Sequence, residues 1–123
     1  MHQNKYHHTT PVTIRPFDII YYENGSGIDR GLVLQTEPMI GACKLDMTED
    51  NDDPQLLRIQ KLGFIGTISA HQIMTTRRAE IDQEEIEAAL ATQFGGYDPV
   101  YAQQVISEAR QQPEVTIVLG KIL

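Results

Sequence analysis

The chain has 123 residues, 41% of them hydrophobic, and a formal net charge of −7, which suits one globular domain with its own core. That charge excludes broad, nonspecific attraction to nucleic acid but leaves room for a local basic groove. No apolar run reaches the roughly 18 residues of a membrane span, residues 1–10 lack the apolar core of a signal peptide, and one cysteine cannot form an internal disulfide.

A cytoplasmic protein with no membrane partner is therefore the expectation. Residues 1–10 read as a flexible polar tail, and residues 11–123 as a single α+β domain. His7 and His8 lie in that tail with no further ligands nearby, which favours solvation over metal binding. Phe17-Asp18-Ile19-Ile20-Tyr21-Tyr22 is aromatic and β-branched, so it reads as a strand. Asn24-Gly25-Ser26-Gly27 tolerates positive φ and turns the chain into a second strand, Leu32-Val33-Leu34-Gln35-Thr36. Residues 39–45 form a third strand, followed by an acidic loop at 46–54. Residues 56–59 and 64–68 continue the strand pattern, with Lys61-Leu62-Gly63 as a break.

The period changes at Asp82, which with Glu85 has capping-box spacing. Ile86, Ala89, Leu90 and Phe94 then make one apolar helical face, and Gly95-Gly96 stops it. Asp98-Pro99 opens a second helix carrying Tyr101, Val105 and Ala109, with Ala102 and Ile106 beside them. Pro113 ends that helix, and residues 115–119 give the clearest strand in the chain.

Five features bear on chemistry. Asp46, Glu49, Asp50, Asp52 and Asp53 offer carboxylates, but the order of an EF-hand loop is missing. A solvated turn, or a docking surface for a basic partner built on Asp50, Asp52 and Asp53, are the alternatives. His71 suits proton transfer near neutral pH, and with Gln72, Thr75, Arg77 and Arg78 it forms a cluster fit for a phosphate; a structural or exposed histidine is the plainer reading. Arg30 opens a strand after a glycine turn, where its guanidinium either clamps a phosphate or simply lies at the surface. Tyr21 and Tyr22 suit base stacking, but neighbours in a strand point to opposite faces, so at most one serves a given groove. Cys43 sits in an apolar run with no activating base beside it and reads as a buried thiol.

The order of these segments resembles the MazF/PemK family of toxin endoribonucleases over about residues 15–95. The resemblance lies in Pro16-Phe17-Asp18-Ile19-Ile20-Tyr21, in Gly27-Ile28-Asp29-Arg30-Gly31-Leu32-Val33-Leu34-Gln35, and in the run from Ile40 to Met47 followed by Thr48. It continues through His71-Gln72-Ile73-Met74-Thr75 and the helix from Glu85 to Gly95. It implies a small SH3-like β-barrel with helices against it, assembled as a homodimer; with the residues beyond Gly95, which lie outside the family pattern, the expected fold is that barrel with two C-terminal helices and a final strand. It also implies cofactor-free cleavage of single-stranded RNA by ribose 2′-OH attack, restrained by an antitoxin. In that reading Arg30 stabilises the phosphate and takes an acid/base role, Thr48 positions the scissile group, and Gln72, Thr75, Arg77, Arg78 and His71 bind substrate. Two other functions stay open: a non-catalytic acidic binding module, such as a DNA-mimicking inhibitor from a mobile element, and a plain structural module.

Overall fold

A computed structural model describes residues 10–49, 57–96 and 98–119. The fold is α+β: a five-stranded antiparallel sheet, a two-stranded ribbon and two helices. The strands are β1 (Thr10–Ile14), β2 (Asp18–Glu23), β3 (Ile28–Gln35), β4 (Ile40–Glu49), β5 (Leu57–Ile68), β6 (Ile73–Arg78) and β7 (Val115–Leu119). The helices are α1 (Gln83–Gly95) and α2 (Pro99–Gln111).

The large sheet runs in the order β5-β4-β3-β2-β6, and β1 pairs antiparallel with β7. Alternation along the strands sorts the apolar residues into two cores. Ile19, Leu32 and Cys43 follow one another across β2, β3 and β4 and pack beneath Ile86 and Leu90 of α1 and Val105, Ile106 and Ala109 of α2. Ile20, Tyr22, Val33 and Ala42 face the other way and meet Ile14 of β1, with Val115 and Ile117 of β7 packed against them. The sheet is thus sandwiched between a helical layer and a β-ribbon, and that is why β2 is apolar at consecutive positions rather than at every second one. Among the described residues the sheet is open, with β5 and β6 at its edges, and no ladder closes it into a barrel.

Several elements follow the expectation and several depart from it. The β2–β3 turn uses Gly25 at φ 77° and Gly27 at φ 147°. Asp98 caps α2 with its side chain, accepting from the backbone N–H groups of Val100 and Tyr101 at 3.0 and 3.1 Å. Asp82 holds the N-cap position of α1, but its side chain makes no cap hydrogen bond, so the expected capping box does not form. Gly96 ends α1 in a right-handed conformation rather than the left-handed one that favours glycine.

The expected break at Lys61-Leu62-Gly63 is instead part of one 12-residue strand. The β4–β5 ladder shifts register twice, between Cys43 and Leu45 and between Asp46 and Met47. Each shift inserts an extra β5 residue, and these bulges scramble the alternation that marks a strand. The acidic segment also begins later than expected, because β4 continues to Glu49. Strands β1 and β6 were not foreseen. β1 is short, and β6 carries mostly polar side chains because it lies at a sheet edge.

Candidate functional site

Tyr21 is the centre of the best candidate surface. It is the cross-strand partner of Arg30 on β3 and of Thr75 on β6. Directly paired residues project from the same face, with Cα atoms about 5 Å apart. Arg30, Tyr21 and Thr75 therefore form a row across three strands, on the face that also carries Ile19 and Leu32. Farther along β2, Arg77 pairs with Ile19 and so reaches the same face. Its Nε donates to the Tyr21 hydroxyl at 3.2 Å, and its guanidinium carbon lies 5.9 Å from the Tyr21 ring centroid. An ion pair at 3.6 Å with Glu80 steadies the same guanidinium. Arg30 and Arg77 are half-buried and Thr75 is exposed, so the row is open to a ligand while its lower edge rests on the core.

Tyr22 turns the other way and is 7% exposed within the ribbon-side core. Opposite projection of the two tyrosines thus holds, and Tyr21 is the one left to serve a surface.

The remaining predicted site residues are dispersed along β6 and beyond. His71 and Gln72 belong to a single 3-10 turn, Ala70–Gln72, at the Glu23 end of β2. Gln72 is committed to the backbone: its side-chain oxygen accepts from the Ser69 N–H, and its Nε2 donates to the Glu23 carbonyl, both at 3.0 Å. His71 is exposed on that turn. Arg78, at the other end of β6, points away from Tyr21 toward Arg15 and Arg110. Ile73 to Arg78 spans roughly 17 Å of strand, so the residues adjacent in sequence cannot converge on one ligand atom.

Thr48 pairs with Arg58, four residues beyond Lys44, which pairs with Gly31. That offset places it about 13 Å along β4 from the residue opposite Gly31, and its side chain lies outside the described residues. Asp50, Asp52 and Asp53 also lie outside them. Cys43 is fully buried in the helix-side core. Among the described residues no three His, Cys, Asp or Glu side chains gather as a metal site, and no helix is long and apolar enough to cross a membrane.

Sequence reasoning missed a second concentration of charge. Arg15, Arg78 and Arg110 surround one cavity near a strained turn at Phe17. No local motif signals it, because its three arginines are separated by 63 and 32 positions and only the fold brings them together. Comparison with known proteins returns no matching family model, curated protein or solved structure.

Proposed function

We propose that this chain is a MazF/PemK-like endoribonuclease with an SH3-like arrangement of strands, acting on single-stranded RNA without a cofactor. The observation that carries the reading is the row of Arg30, Tyr21 and Thr75 on one face of the sheet, half-buried except at Thr75, with the Arg77 guanidinium against the Tyr21 ring. Such a set of groups suits a strand of nucleic acid: guanidiniums take phosphate oxygens, and an aromatic ring stacks on a base.

In this reading the ribose 2′-OH attacks the adjacent phosphorus and its proton is removed. The P–O5′ bond breaks, leaving a 2′,3′-cyclic phosphate and a protonated 5′-oxygen. Arg30 stabilises the charge that develops on the phosphoryl oxygens. Arg77, already oriented by Tyr21 and Glu80, holds a neighbouring phosphate, and Thr75 donates or accepts at the strand edge. Thr48, on the strand next to that of Arg30, is assigned to positioning the scissile group. A homodimer and an antitoxin partner belong to the same reading.

The test is incubation of the protein with mixed single-stranded RNA in EDTA, beside Arg30→Ala. Discrete products that vanish in the variant, with an unchanged far-UV circular dichroism spectrum, are the expected result. Equal cleavage by Arg30→Ala, or none by the parent protein at high concentration, overturns the reading.

A further inference from the structure

Three guanidiniums from distant parts of the chain meet at the Asp18 end of the sheet. Arg15 lies in the β1–β2 turn, Arg78 closes β6, and Arg110 sits in the last turn of α2. With Phe17, Gln83 and Glu114 they line an open cavity of about 310 Å³. The turn that presents Arg15 is tightly held. Asp18 N–H donates to the Arg15 carbonyl at 3.2 Å, and Arg15 N–H donates to Asp18 Oδ2 at 3.0 Å. Phe17 adopts φ 70°, a left-handed conformation that is uncommon for a bulky residue, with its N–H bonded to the Val33 carbonyl at 2.7 Å.

Each guanidinium has a carboxylate near it and keeps donors to spare. Arg15 Nε bonds Glu114 at 2.9 Å. Arg110 holds Glu87 through Nε and Nη2 at 2.8 and 2.5 Å, which keeps the Glu87 carboxyl at about 2 and therefore ionised. Arg78 comes only within 4.0 Å of Asp18, outside hydrogen-bonding range. A guanidinium has five N–H donors. Among the described residues Arg15 spends one on a side chain, Arg110 two and Arg78 none. Glu87 and Asp18 do not line the cavity, and Glu114 does. Three cations and one anion form its wall, with Glu87 and Asp18 standing behind Arg110 and Arg78, so what the cavity offers an anion is unspent guanidinium donors rather than excess charge.

We propose that this cavity binds a phosphate group through Arg15, Arg78 and Arg110. Planar, permanently charged forks with unspent donors match tetrahedral oxyanions. The phosphate comes either from free phosphate or a phosphomonoester, or from the backbone of a bound RNA. The site is separate from the Tyr21 row: Asp18 and Tyr21 are three residues apart on β2, about 10 Å. It stands whether or not Arg30 cleaves RNA.

The experiment is an amide NMR titration of the full chain with inorganic phosphate at constant ionic strength. The parent protein should give saturable shifts at Phe17, Arg78, Gln83 and Arg110. Arg78→Gln should weaken binding at least tenfold; its side chain is 70% exposed and makes no hydrogen bond among the described residues, so the fold is preserved. Non-saturating shifts, or equal affinity in Arg78→Gln, overturn the proposal. A single-stranded RNA without terminal phosphates separates the sources. If it moves the same amides and displaces phosphate, the ligand is a backbone phosphodiester. If it leaves them still while phosphate moves them, the ligand is free phosphate or a monoester.

Discussion

Replacing Phe17 separates packing from backbone strain at the turn that presents Arg15. Phe17 is 7% exposed and belongs to the helix-side core, so truncation to Ala should cost about 3–5 kcal/mol. Its φ of 70° is disfavoured for an L-residue by roughly 1–2 kcal/mol, and Phe17→Ala retains that cost because the N–H bond to Val33 pins the turn. Phe17→Gly loses the same packing but relieves the strain. Glycine in turn widens the unfolded ensemble, a loss of about 0.4–1 kcal/mol. The difference leaves Phe17→Gly more stable than Phe17→Ala by up to about 1.6 kcal/mol. At Ala102, buried in α2, the order of Ala and Gly should be the reverse, with Ala102→Gly losing about 1 kcal/mol. Urea unfolding followed by far-UV circular dichroism, with equal m-values, reads both pairs. If Phe17→Ala proves more stable than Phe17→Gly by the margin seen at position 102, the turn holds no strain and the argument fails.

Burial raises the Asp18 carboxyl above its ordinary value of 3.8, against the opposing pull of the Arg15 N–H and the Arg78 charge. The folded state therefore holds that proton more tightly than the unfolded state, and the stability this contributes is lost as pH rises from 3.8 through the raised folded value. Asn keeps an acceptor for the Arg15 N–H and cannot ionise, so thermal melts of Asp18→Asn and the parent protein from pH 3.5 to 7 should shift in favour of the variant as pH rises. A gap that moves the other way counts against this account. The two helix caps should also part company. Asp98→Ala should cost about 0.5–2 kcal/mol by removing the acceptor for two N–H groups, whereas Asp82→Ala, with no cap bond to lose, should cost clearly less. Equal losses in chemical denaturation would contradict the assigned caps.

Local chemistry was enough to mark the β2–β3 turn, the apolar face of α1 and the start of α2. In each case the signal lies within a few residues: glycines that accept positive φ, an i, i+3, i+4 apolar repeat, and an Asp-Pro N-cap. The opposition of Tyr21 and Tyr22 was legible for the same reason, since strand geometry alone forces it. The edge strand β6 was hidden by its polar residues, and the continuity of β5 through Lys61-Leu62-Gly63 by two bulges that belong to its pairing with β4 rather than to its own sequence.

The sites divide in the same way. Arg30, Thr75 and Arg77 could be picked out as residue types fit for phosphate, but only the register of β3, β2 and β6 puts them on one face around Tyr21. Arg77 and Arg78, adjacent in the chain, end in different places because β6 alternates. The cavity of Arg15, Arg78 and Arg110 was decided by tertiary structure alone, because no local rule relates a turn, a sheet edge and the end of a helix. By itself the sequence determined which segments are strands or helices where their own side chains set the period. Which of those segments became neighbours, and so which charges met, was decided by the burial of two apolar faces on a single sheet.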